Sequence, residues 1–254
     1  MEVHHNPKLE KKNLKGYFLE FLMIFLAVTM GFLAENLRES IRNKEELLLN
    51  MESLVSDLKS DVAFFDSTLN RNEYSCRMSD SLFYLLSNEL ENTNNIYYSA
   101  RVVTANFGYF YSNSKTFEQM KSSGALRLIS KRSRLDSIAD YYSSMQWLTN
   151  QTELMRMKVD AIHLGNSELF DSRVFQKMIQ KIDYGNFQSG DNVVIKRPQD
   201  NPPLISTDFI KINKVCLNYH YFYTTMKFYD KTAKQISQKA RELIVEIQKE
   251  YHFE

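Results

Sequence analysis

The first pattern along the chain is a run without alternation. From Gly16 to Ala34, GYFLEFLMIFLAVTMGFLA, nineteen residues carry one ionisable side chain, Glu20. At about 1.5 Å of rise per residue this makes roughly 28 Å of helix, close to the thickness of a bilayer core. The run predicts a transmembrane helix over residues 16–34. Two other readings compete with it. A basic start followed by an apolar stretch also suits a cleaved signal peptide, but Met30-Gly31-Phe32-Leu33-Ala34-Glu35 offers no good pair of small residues at the spacing cleavage needs. The charge-free part, Phe21 to Ala34, has a length shared with buried core helices, and the extension back to Gly16 tips the reading to a span.

After the span the apolar positions fall at alternating steps of three and four. Leu48, Met51, Val55, Leu58, Val62, Phe65 and Leu69 form a heptad stripe, widened by Leu47 and Leu54. The width suits a helix buried on a bundle rather than a two-stranded seam. Neither Pro nor Gly occurs between Phe32 and Phe107, so the membrane helix is expected to lead into the first body helix as a stalk. A bend or break is expected at 70–73, where the stripe turns polar. A second helical patch over 78–90 follows, with Leu82, Phe83, Leu85, Leu86 and Leu90, and Asn- and Thr-rich residues 91–95 end it.

Residues 96–111 are dense in aromatics: Tyr97, Tyr98, Phe107, Tyr109, Phe110 and Tyr111. They suit core packing at a helix junction, or a ligand pocket, on a backbone that is either helical or an extended pair. Thr116 with Gln119 has a capping-box pattern for a short helix to Ser123, and Gly124 supplies its left-handed end. Ser133 with Asp136 repeats the pattern for a long helix burying Leu135, Ile138, Tyr142, Met145, Leu148, Met155, Val159 and Ile162. Gly165-Asn166 stops it, and Ser167 is expected to cap a further short helix to about Ile182. Residues 184–206, with Gly185, Gly190, Pro198, Pro202 and Pro203, read as one long irregular loop, either a partner-contact site that includes Lys196 and Arg197 or a connector. Thr207 or Asp208 caps a last helix to about Tyr251, with inner face Phe209, Ile212, Val215, Tyr219, Phe222, Met226, Tyr229, Ala233, Ile236, Ala240, Leu243 and Ile247.

Charge adds orientation. Lys8, Lys11, Lys12 and Lys15 precede the span and Arg38, Arg42 and Lys44 follow it, which places the N-terminal tail, 1–15, in the cytoplasm and the body, 35–254, across the membrane. Glu20 lies one turn inside; it reaches the interface, pairs with Lys15 or Lys12, or meets another helix in an oligomer. Glu20 and Gly31 are thus the candidate positions for helix packing or interface contact. With 32 basic and 31 acidic residues there is no clustered basic surface for nucleic acid. Cys76 and Cys216 are expected to be buried free thiols. No zinc spacing, phosphate loop or nucleophile elbow occurs, so no cofactor and no enzymatic chemistry is assigned. His163 with Asp160 reads as a surface pair. Asp57 and Asp61, at i and i+4, read as a solvated outer face.

Glu20 with the apolar run to Asn36, then LVSDLKSDVAFFD, TFEQMKSSGALRLI and LDSIADYY, resembles a family of single-span bacterial membrane proteins without an assigned activity. The likeness covers roughly residues 16–145, and its most specific part is the Ser122-Ser123-Gly124 turn before an LRLI-like segment. It implies an N-terminal anchor and a helical extracytoplasmic body. The Trp that members carry after the span is replaced here by Ala34-Glu35-Asn36-Leu37-Arg38. The expected fold is all-α: a transmembrane helix continuing into an elongated antiparallel helical bundle with long first and last body helices. The expected role is a scaffold or accessory subunit at the inner membrane, with the bilayer and other envelope proteins or a second copy as partners. A ligand-sensing module acting through the span is the alternative.

Overall fold

The polar residues that interrupt the apolar stripe after Phe65 do not interrupt the helix. In the computed structural model, which describes residues 14–183 and 192–253, α1 runs from Leu14 to Asn88. The expected break at 70–73 is absent, and the separate patch at 78–90 belongs to the same helix. The buried face explains this. Beyond Phe65 it continues through Thr68, Asn72, Ser75, Ser79, Leu82 and Leu86, still at steps of three and four. Small polar side chains carry on the inward stripe that larger apolar ones begin. Of the apolar residues in that patch, Phe83 is exposed.

The chain divides into two compact units between Leu49 and Asn50. In the first, α1 is long and apolar enough to cross a membrane, and no side chain of its most apolar window is buried, with Phe18, Ile24, Met30 and Leu33 exposed. The tail, with Lys8, Lys11 and Lys12, lies outside the described residues, as do Gly185 and Gly190.

The second unit is a helical bundle. After α1 come α2 (Thr93–Asn106), α3 (Lys115–Ser123), a 3-10 turn (Ala125–Leu128), α4 (Arg132–Asn150), α5 (Thr152–Asn166), α6 (Ser172–Met178) and α7 (Phe209–Tyr251). Paired residues give the directions. Asp66 meets Arg241 and Asn72 meets Asp230, so α1 and α7 are antiparallel. Arg134 is held by Glu246 and Glu250, and Lys239 by Asp140, so α4 also opposes α7. Asn218 reaches the Ala161 carbonyl and Thr152 the Tyr229 hydroxyl, so α5 does the same. Gly165 lets α5 and α7 close up, since a Cβ there would lie 2.9 Å from the Asn218 amide. Phe65, Phe110 and Phe222 are fully buried between these layers, each worth about 1.5–3 kcal/mol of transfer free energy.

Several local expectations are corrected. The long helix expected from Ser133 is two, meeting at Gln151, and it begins at Arg132 without a side-chain cap. Ser167 does not cap a helix to Ile182. Instead the Asp171 carboxylate accepts from the Arg173 N–H and starts α6, and the chain becomes extended at Ile179. There β1 (Ile179–Asp183) pairs antiparallel with β2 (Asn192–Ile195), so the stretch 184–206 contains a strand of a hairpin. The β-branched composition of both strands suits that geometry. Asp208, rather than Thr207, caps α7, accepting from the Lys211 N–H. The inner face of α7 follows the expected residues from Val215 to Ile247, while Phe209 is exposed and Ile212 is half-buried.

Candidate functional site

The most elaborately built region lies where α1 holds a non-helical strap, residues 107–114, between α2 and α3. The strap begins because Phe107 leaves α2 in an extended conformation and Gly108 follows, buried against α1. A Cβ at Gly108 would come within 2.8 Å of the Thr68 methyl and 3.0 Å of the Arg71 guanidinium, so only glycine fits without a shift. Asn72 pairs with this glycine in both directions: the Gly108 N–H donates to its Oδ1 at 2.7 Å, and its amide donates to the Gly108 carbonyl at 3.3 Å. The same amide donates to Asp230 of α7 at 2.7 Å. Burial pushes the Asp230 carboxyl up to about 6, against the opposing effect of the Asn72 bond.

Two turns back along α1, Phe110 is fully buried, stacked on Phe65 and tilted against Tyr229, whose hydroxyl receives its N–H. Asp61 and Asp57 then fasten the end of the strap. Asp61 accepts from the Asn113 N–H at 2.6 Å and from the Tyr141 hydroxyl at 2.7 Å. Asp57 accepts from the Asn113 amide at 2.7 Å and from the Thr116 N–H at 3.0 Å. A carboxylate from another helix thus caps α3, where the sequence suggested a Thr116–Gln119 capping box; no side chain of α3 itself makes that bond. Asp61 is 3% exposed, and burial pushes its carboxyl up to about 6. The reading of this aspartate pair as a solvated face is therefore overturned. A signal existed: Leu54, Leu58, Asp61, Phe65 and Thr68 share one stripe of steps of four and three.

Beyond the strap, α3 and α4 diverge around an open groove of about 520 Å³. Tyr111, Phe117 and Tyr142 supply its aromatic wall, with Phe117 stacked on Tyr142 at 4.3 Å between ring centres. Sequence reasoning missed this groove, because no periodicity shows how the strap, α3 and α4 come to face one another.

Of the aromatic residues singled out from sequence, Tyr111 alone reaches the groove. Tyr109 packs edge-on to Phe107, which meets Phe222, and burial lifts its phenol to about 12. Tyr97 is fully buried, donates to the Pro203 carbonyl at 3.0 Å and accepts from the Asp171 N–H at 2.9 Å. Arg197 lies over the Tyr98 ring at 4.5 Å, and the Tyr98 hydroxyl meets that of Tyr74. These contacts clamp the segment after β2 onto α2. Lys196 and Arg197, together with Lys177, line a separate depression of about 310 Å³. In the N-terminal unit Glu20 is half-buried and Gly31 has nothing within 4 Å of a would-be Cβ. Cys76 and Cys216 are buried free thiols.

The chain matches no protein-family model, no curated protein and no solved structure.

Proposed function

We propose that this chain is a membrane-anchored helical scaffold or accessory subunit of a cell-envelope assembly, with its N-terminus in the cytoplasm and its body in the periplasm, acting by protein–protein contact. The observation that carries the contact role is a pair of exposed apolar stripes on neighbouring helices. On α5, Leu154, Met157 and Leu164 are exposed, with half-buried Ala161 completing steps of three, four and three. On α7, Ile210, Leu217, Tyr221 and Phe228 are exposed at steps of seven, four and seven. Trp147 of α4 stands edge-on to Phe228. Each of these helices already buries a different face in the bundle, so the second stripes are not needed for folding. Apolar side chains grouped this way on a surface favour a helical partner. The resemblance to single-span envelope proteins supports the same placement.

The test is photo-crosslinking in native membranes, with the reactive group at Leu217 or Phe228 of the full chain. A discrete adduct with another envelope protein or a second copy is expected, and it is lost in a Leu164→Glu variant that still folds. Recovery of the uncrosslinked monomer alone, at every position tried, would end this reading.

The alternative, a ligand-sensing module signalling through the span to a partner, draws support from one feature, the groove between α3 and α4.

A further inference from the structure

We propose that this groove binds a neutral saccharide, through its hydroxyl groups and one flat apolar face. The inference does not depend on the scaffold role. Charge is the first consideration. Glu118 and Lys121 are the charged residues of the lining, and they pair with one another at 3.7 Å. The charges on the lining side chains themselves are therefore matched one to one.

What remains is hydroxyl and amide. Ser112, Ser114, Ser143, Gln146, Thr149 and Asn150 line the groove, and none of their side chains is engaged with another protein group among the described residues. Each of these groups both donates and accepts, as sugar hydroxyls do, so several orientations of donor and acceptor can be matched at once. Beside them the half-buried Phe117 ring, backed by the ring of Tyr142, provides an apolar wall against which the C–H face of a pyranose can lie. The volume, about 520 Å³, falls in the range of small-molecule sites, roughly 300–1,000 Å³.

The wall is also held in place beforehand: Asp57 and Asp61 fix the strap at Asn113 and the start of α3 at Thr116, so the ligand does not have to order it.

The experiment is saturation-transfer NMR on the full chain, kept in a detergent without a sugar headgroup. The probes are cellobiose, maltose and N,N′-diacetylchitobiose; glutamate and a Ser-rich peptide serve as comparison probes. The expected result is saturable transfer to at least one disaccharide below about 10 mM, with little to glutamate or the peptide. Ala139→Trp, at an exposed position of the lining, abolishes the signal by filling the groove. Gln146→Ala, at another exposed position of the lining, weakens binding about tenfold while leaving the melting temperature unchanged. Absence of saturable transfer to all three sugars overturns the proposal, as does equal transfer to the comparison probes, or binding that survives Ala139→Trp.

Discussion

Replacing Asp61 by Asn separates the charge of the strap's central clip from its shape. Asp61 is buried on α1 and receives two donors, the Asn113 N–H at 2.6 Å and the Tyr141 hydroxyl at 2.7 Å. Burial is the largest influence on its carboxyl and raises it to about 6 from an ordinary 3.8; the two donors oppose the rise, and the nearby Asp57 adds slightly to it. A carboxyl whose folded value lies above its unfolded value gives its full stability below the unfolded value, and loses it as pH rises through the folded one. For this pair of values, the loss between pH 4 and pH 7 is about 2 kcal/mol. Asn does not titrate, so the stability of Asp61→Asn relative to the parent should improve by about 2 kcal/mol over that interval. The variant also carries a fixed penalty, because its amide oxygen accepts one donor while its NH₂ faces the other, a cost of about 1–3 kcal/mol. That penalty is present at both pH values and cancels from the comparison. The assay is urea unfolding of the full chain in non-ionic detergent, followed by the fluorescence of Trp147, the single tryptophan. A difference between parent and variant that stays constant from pH 4 to pH 7, within about 0.5 kcal/mol, would refute the reasoning.

Other perturbations address neighbouring parts of the fold. Asn72→Ala removes three hydrogen bonds and strips the Gly108 N–H and buried Asp230 of a partner; we expect about 3 kcal/mol of destabilisation in urea, and a further upward move of the Asp230 carboxyl in a carbon-13 titration. Gly108→Ala forces a methyl against Thr68 and Arg71 and should cost about 1–3 kcal/mol, read as a lower urea midpoint. Burial pushes the Cys76 thiol up to about 11, so at about pH 8 a disulfide reagent should label it at the rate of unfolding, and rapid labelling of the native chain would contradict its placement.

Much of the bundle was legible because periodicity survives wherever large apolar residues face inward. The stripe from Met51 to Phe65 and the face of α7 from Val215 to Ile247 are both of this kind. Legibility failed where the inward residue is small and polar. Asn72, Ser75 and Ser79 look like a helix ending until their burial beside α7 and the strap is known. Asp61 was misplaced for the same reason, although its register with Leu54, Leu58 and Phe65 was present in the sequence. Caps were misread where the capping group comes from afar: Asp57 serves α3 across 59 positions of chain. The short hairpin was hidden because two strands of five and four residues carry too few positions for a period to show. The groove has no linear signature, since no period or motif within 111–150 marks a cavity between α3 and α4.

Protease accessibility in intact bacterial spheroplasts carrying the full chain tests the central claim most directly. If residues 16–34 anchor the chain with its body on the periplasmic face, added protease removes the helical body while a short N-terminal fragment stays with the membrane pellet. A body that is protected until the spheroplasts are lysed, or a chain recovered intact in the soluble fraction, would contradict it.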